Sequence, residues 1–187
     1  MNQLASAGQL RASFVRWALF TVPLCVLLGF LAGQSGGPDS LWFQSLEKPS
    51  IYPPPAAFGT VWTILYVMIG LSLALICAAW GARGRAAALV VFAVHFALNL
   101  AWTPVFYGSQ MLTGGLVVIV AVVVTLVVVI RLFWRIRPLA GALLLPYLAW
   151  VLFAAILNWR FLALNPEADG GLAGANDARP ERVRIAD

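Results

Sequence analysis

From Lys48 to Pro166 the chain contains no aspartate or glutamate, and four of its five long apolar runs lie in that acid-free stretch. A run of about 20 apolar residues matches the roughly 30 Å hydrocarbon core of a bilayer. Such runs fall near residues 14–33, 57–80, 86–107, 111–133 and 138–162. Hydrophobic residues make up 62% of the chain and charged residues 10%, where a soluble domain carries about a quarter charged. The expected fold is therefore an all-α membrane protein, a five-transmembrane-helix bundle. Residues 14–165 form its membrane domain and 1–13 a cytoplasmic N-terminal segment. Residues 166–187, rich in Gly, Ala and charge with no apolar period, are expected to be a disordered tail.

The net charge of +5 would suggest nucleic acid in a soluble protein, but the positions of the charges exclude that partner and encode topology instead. Arg11, Arg16, Arg83, Arg85, Arg131, Arg135 and Arg137 share one face with no acid, while Lys48, Arg160 and all seven acids fall on the other. Cationic bias near span ends marks the cytoplasmic side. The expectation is a multi-pass protein of the bacterial inner membrane, N-terminus cytoplasmic and C-terminus outside. Arg11 and Arg16 ahead of an apolar stretch also resemble a signal peptide, although that stretch is long and Ala32-Gly33 is a weak cleavage site. Cys25 and Cys77 lie inside spans one and two, where thiols behave as small apolar side chains.

The first connection, about 34–56, exceeds the usual 2 to 8 residues of helix connections and ends in Pro53-Pro54-Pro55, so it reads as a stiffened lid. The remaining connections are short, which predicts that spans two to five pack as successive antiparallel neighbours. Span four, MLTGGLVVIVAVVVTLVVVIRLF, is apolar on every side and is expected to front lipid.

In span three, His95, Asn99, Trp102 and Phe106 recur at helical spacing along one face, and Ala93, Ala97 and Ala101 follow the small-xxx-small rule on another. Asn99 has two readings here, a cavity-facing group or a plain hydrogen bond to a neighbouring helix. Phe58, Trp62 and Tyr66 form a stripe in span two, and Tyr147, Trp150, Ala154 and Asn158 share a face in span five. The aromatic and polar groups converge near the end of the bundle that carries the long loop. Trp17, Trp42, Trp80 and Trp134 lie at span ends and read as an interfacial belt, while Trp62, Trp102 and Trp150 read as cavity walls on which a flat ligand stacks.

The segments KPSIYPPPAAFGTVWTILY (48–66), NLAWTPVFYG (99–108) and PYLAWVLFAAILNWRFLALN (146–165) resemble the translocator protein / tryptophan-rich sensory protein family, the TspO/MBR or peripheral-type benzodiazepine receptor family. The resemblance covers about residues 15–165. It implies five helices around a ligand cavity covered by the first loop, usually in a homodimer, in inner or outer membranes. The matching ligand-region positions are Trp42, Lys48, Pro49, Pro53, Pro54, Phe58, Trp62, Tyr66, Asn99, Trp102, Phe106, Pro146, Tyr147, Trp150, Leu157 and Asn158. Porphyrins and related tetrapyrroles are the implied ligands, with synthetic isoquinoline carboxamides and benzodiazepines in the same cavity. Two positions depart from the family pattern: Ala56 stands where a Trp is frequent, and His95 stands where many members have Gln.

The functional expectation is a porphyrin-binding membrane protein that senses, sequesters or helps transport porphyrin intermediates. A porphyrin or haem-type ligand is expected, with no tightly bound cofactor and no metal site. The alternative implied by the resemblance is light- or oxygen-dependent porphyrin breakdown, with Trp62 and Trp150 as electron donors. Conventional hydrolytic or metal chemistry lacks its parts, since the sole histidine, His95, has no acidic partner. A carboxylate proton relay of the kind coupled transporters use is excluded, because no span contains Asp or Glu. The pattern L/V-x₁₋₅-Y-x₁₋₅-K/R proposed for sterol contact occurs nowhere.

Overall fold

A computed structural model describes residues 7–171. Residues 1–6 of the expected N-terminal segment and 172–187 of the expected tail lie outside the described residues. Regular structure among the described residues is helical: α1 (Ala7–Gly33), α2 (Leu41–Ser45), α3 (Pro55–Cys77), α4 (Arg85–Thr103), α5 (Leu112–Ile136), α6 (Pro138–Leu143) and α7 (Leu145–Leu164). A π-helical turn, Pro104–Gly108, extends α4, and a 3₁₀ turn, Pro166–Ala168, follows α7. Five helical stretches are long and apolar enough to cross a membrane, with α6 and α7 together forming the fifth.

Prolines set several of these boundaries. Pro55 opens α3 at its first turn, where the missing N–H costs nothing. Pro146 lacks the N–H that would bond the Ala142 carbonyl, and the fifth span breaks into α6 and α7 beside it at Leu144. Pro104 begins the π turn, in which the Ser109 N–H reaches back to the Pro104 carbonyl at 2.8 Å. The single long fifth helix expected from hydropathy is therefore two helices.

Around the bundle, α1 packs along α3, α3 along α6, α6 and α7 along α5, and α5 along α4, which returns to α1. Spans three to five are successive neighbours, as their short connections require. Spans two and three are not: α3 meets α4 only marginally. Their backbones are bridged instead by side chains, with the Tyr66 ring edge-on to Phe96 at 6.2 Å and the Tyr66 hydroxyl donating to Asn99 Oδ1 at 3.1 Å. The space left between these helices holds the cavity described below. On the other side of α3, the Thr21 hydroxyl donates to Gly70 O at 2.8 Å and ties α1 to α3.

The expectation that span four fronts lipid holds for one side of the helix, and its other side packs on protein. Leu112, Gly115, Ile119, Val122, Leu126, Val129, Ile130 and Phe133 are buried at helical spacing, and α5 contacts α4, α6 and α7. Val117, Val120, Val124, Val127 and Val128 form its exposed side. In a membrane both faces are apolar, so hydropathy carries no sign of which one packs on protein.

At the arginine-rich end, the Arg85 guanidinium donates to the Ile76 and Cys77 carbonyls at 3.0 and 2.8 Å and stacks over Trp80 at 4.4 Å. It thereby satisfies carbonyls that the α3 C-terminus leaves without helical partners. At the opposite end, the loop between α1 and α3 folds onto the bundle through α2, whose Trp42 and Phe43 are buried.

Candidate functional site

Helix α2 starts at Ser40, whose side-chain oxygen accepts from the Phe43 N–H at 3.3 Å. Lys48 fastens its other end: Nζ donates to the carbonyls of Phe43, Gln44 and Leu46 at 2.5, 3.1 and 2.7 Å and lies 4.8 Å from the Phe43 ring centroid. Loss of hydration holds the Lys48 ammonium below the ordinary lysine pKa. Trp42, Phe43 and Leu46 then pack with Phe106, Leu112, Leu157 and Phe161 as a second apolar cluster above the main core. The segment after α7 straps this lid down. Trp42 Nε1 donates to Ala168 O at 3.2 Å, and Asn165 pairs with the Glu47 backbone, accepting from its N–H at 2.7 Å and donating to its carbonyl at 3.0 Å. Asp169 Oδ1 accepts from the Thr113 N–H at the start of α5, at 3.1 Å. The described start of the expected disordered tail, residues 166–171, is thus tied to the bundle by hydrogen bonds that composition gave no sign of.

Beneath the lid is a cavity of about 540 Å³, within the roughly 300 to 1,000 Å³ of small-molecule sites. Its walls include Phe58 and Trp62 of α3, Trp102 of α4, Phe106 of the π turn, and Trp150, Ala154, Leu157 and Asn158 of α7. Residues 33–39 and Tyr52 close the lid side. The rings buttress one another: Trp102 stacks on Phe106 at 4.8 Å and 19°, Trp62 on Tyr66 at 5.4 Å and 28°, and Trp150 meets Phe58 edge-on at 5.8 Å.

Asn158 organises this end. Its Oδ1 accepts from Trp102 Nε1 at 3.3 Å and its Nδ2 donates to Leu112 O at 3.0 Å, so one buried amide joins α4, α5 and α7. Gly115 makes that approach possible, since a Cβ there would lie 2.8 Å from the Phe106 ring and 2.9 Å from Asn158 Oδ1.

Eight sequence-predicted residues line the cavity: Phe58, Trp62, Trp102, Phe106, Trp150, Ala154, Leu157 and Asn158. Tyr66 and Asn99 stand one layer behind, joined to each other, and Asn99 thereby takes the reading of a hydrogen bond to a neighbouring helix. Tyr147 backs Trp62 edge-on at 6.1 Å. His95 is buried still deeper, its Nδ1 2.9 Å from Thr125 Oγ1. The Thr125 oxygen also lies 2.8 Å from the Ala121 carbonyl, and His95 Nε2 is buried without a hydrogen-bond partner. Pro49, Pro53 and Pro54 lie outside the cavity wall and shape the lid: Pro49 O accepts from the Tyr52 N–H at 2.9 Å, and Pro54 caps α3.

Trp42 is buried in the lid cluster and is not a belt residue, whereas Trp80 and Trp134 are exposed. Gly29 of α1, four residues before Gly33, faces inward, because a Cβ there would collide with the Tyr66 ring. Sequence reasoning missed Phe43, Tyr52, Tyr107 and Phe161 in the wall. Tyr107 and Phe161 lay inside quoted motifs but off the stripes used to choose candidates.

A lidded cavity walled by aromatic rings lies between membrane-spanning helices of an integral, multi-pass membrane protein. Residues 21–164 match the model of the TspO/MBR family, and the chain belongs to that family. It is 38% identical over 154 residues to the tryptophan-rich protein TspO of Chlorobaculum tepidum, covering 79% of this chain and 98% of that one. It is 36% identical over 138 residues to protein CrtK of Rhodobacter capsulatus, covering 72% and 86%. Identity to the translocator protein of Sus scrofa is 34% over 155 residues, covering 76% and 86%.

Proposed function

We propose that this protein binds porphyrins or related tetrapyrroles in the cavity beneath the first loop and thereby senses, sequesters or helps transport them. The observation that carries the reading is the meeting of Trp62, Trp102 and Trp150, from three helices, around one volume of about 540 Å³. Each offers a broad apolar surface, and stacking on such rings contributes about 0.5 to 1.5 kcal/mol per contact beyond burial. Synthetic isoquinoline carboxamide and benzodiazepine ligands, flat and largely apolar, fit the same wall.

The arginine bias supports a cytoplasmic N-terminus in a bacterial inner membrane, which puts the lid outside. A homodimer is part of the proposal. Ala93 and Ala97 are exposed on α4, away from the cavity-facing Trp102, and a second copy would find there the close approach that small residues allow.

A second reading, breakdown of bound porphyrin driven by light or oxygen, draws on the contact between Trp62 at the wall and Tyr66, whose hydroxyl is bonded to Asn99. One experiment separates the two. Purified protein in lipid nanodiscs is mixed with protoporphyrin in darkness and in light while the absorption spectrum is followed. Binding predicts saturable tryptophan quenching with the Soret band intact under both conditions. Loss of that band in light with a new product establishes turnover, and unsaturable quenching refutes the proposal.

A further inference from the structure

We propose that the arginine-rich end of α5 is a binding site for an anionic phospholipid, with the headgroup phosphate held between Arg131 and Arg135 and an acyl chain lying along the valines that precede them. The occupant is a lipid of the surrounding bilayer, on the outer surface of the bundle and away from the lidded cavity. The inference is therefore independent of the tetrapyrrole reading.

Helical spacing brings the two parts of the site into line. Val117, Val120, Val124, Val128, Arg131 and Arg135 recur at intervals of three and four along α5, and all six are exposed. They lie opposite the row that packs on protein, which includes Ile119, Val122, Leu126 and Phe133. From Val117 to Val128 the stripe runs about 16 Å, close to the roughly 15 Å that one leaflet contributes to the hydrocarbon core. It then changes to arginine, where a lipid changes from acyl chain to phosphate.

The two arginines are one helical turn apart, about 6 Å along the axis, so both guanidiniums can reach the oxygens of one phosphate. Arg85, at the same end of the bundle, is already engaged by the Ile76 and Cys77 carbonyls. Among the described residues Arg131 and Arg135 have no hydrogen-bond or ion-pair partner. The described carboxylates, Asp39, Glu47, Glu167 and Asp169, all belong to the lid end. Like charges one turn apart on a helix repel, and a phosphate between them replaces that repulsion with charge-assisted hydrogen bonds. Trp134 flanks the pair. A Cβ on Gly141 would lie 2.6 Å from its ring, so the indole rests against α6 while staying 44% exposed, as indoles at the headgroup level do. An arginine bias settles topology wherever on this end the cations stand. The site adds to that bias two unpaired arginines at one turn's separation and an apolar track of leaflet length that ends on them.

The test uses the full-length protein in phosphatidylcholine nanodiscs doped with equal small fractions of either phosphatidylglycerol or phosphatidylcholine carrying brominated acyl chains. Quenching of Trp134 is read as the difference between the parent and Trp134→Phe. Brominated phosphatidylglycerol should reach half-maximal quenching at a fraction at least about fivefold lower than brominated phosphatidylcholine, the preference expected from one to two arginines at a membrane surface. The double variant Arg131→Gln/Arg135→Gln should abolish that preference, and Arg131→Lys/Arg135→Lys, which keeps the charge, should retain it. Arg11→Gln/Arg16→Gln, which removes two cations elsewhere on the same end, should leave it unchanged. No preference in the parent overturns the proposal. So does an equal loss from both glutamine pairs, which would mean diffuse attraction to the whole end, or a loss in the lysine pair as well, which would mean that the quenching reports the folding of the helix end.

Discussion

Replacing Asn158 by Leu keeps the side chain's approximate size and removes every polar contact it makes. Asn158 is 2% exposed, so water will not replace what is lost. Its partners are the Trp102 N–H and the Leu112 carbonyl. Hydrogen bonds between membrane helices contribute about 0.6 kcal/mol on average and up to about 1.7, and a buried donor left bare costs about 1 to 3 kcal/mol. Leu112 O is at the start of α5, where the helix itself supplies another donor, so the bare Trp102 N–H dominates. The expected loss is about 1 to 3 kcal/mol of stability, measured by unfolding in mixed detergent micelles and followed by tryptophan fluorescence. Trp102 should also lose its fixed orientation, so porphyrin affinity should fall with stability. A variant within about 0.3 kcal/mol of the parent, with unchanged affinity, would show that Asn158 does not hold α4, α5 and α7 together.

Gly29→Ala should displace the Tyr66 ring, costing about 1 to 3 kcal/mol by overpacking and weakening ligand binding through Trp62, as titration of the purified variant would show. Ala97→Phe should reduce crosslinked homodimer while leaving ligand affinity unchanged, and undiminished crosslinking would move the dimer surface off α4. Reporter fusions should read cytoplasmic in the 83–85 loop and external after residue 187, and the opposite pattern would invert the proposed orientation. Lid exchange should accelerate in Asn165→Ala, which loses its bonds to the Glu47 backbone, visible as a faster ligand off-rate in stopped-flow quenching.

The five spans were legible because the bilayer fixes the length of an apolar run, and the stripes of α3, α4 and α7 because helical spacing puts Trp62, Trp102 and Trp150 on inward faces. The order of the helices was not legible. Short connections limit the distance between helix ends, yet α3 and α4 separate above theirs to flank a cavity bridged by Tyr66 and Asn99. The packing role of α5 was hidden because valines facing lipid and valines facing protein are the same residues. The lid strap was missed for a different reason: Asn165 and Asp169 act through long-range hydrogen bonds to Glu47 and Thr113, which have no periodicity. Tyr66, His95, Asn99 and Tyr147 were placed on the right faces, but depth within the bundle depends on what packs in front of them. In front of Tyr66 and Tyr147 the Trp62 ring intervenes, stacked on the first and edge-on to the second.

The central claim is that a tetrapyrrole stacks inside the cavity, and a quenching titration of three tryptophan variants in nanodiscs with protoporphyrin tests it most directly. Trp62 and Trp150 line the cavity, whereas Trp134 is exposed on α5 near its arginine-rich end. Trp62→Ala and Trp150→Ala should each weaken binding by about 5 to 150-fold, corresponding to about 1 to 3 kcal/mol of lost contact, with Trp134→Ala close to the parent. Equal effects from all three would mean that porphyrin partitions into the lipid around the protein, and the cavity would not be its binding site.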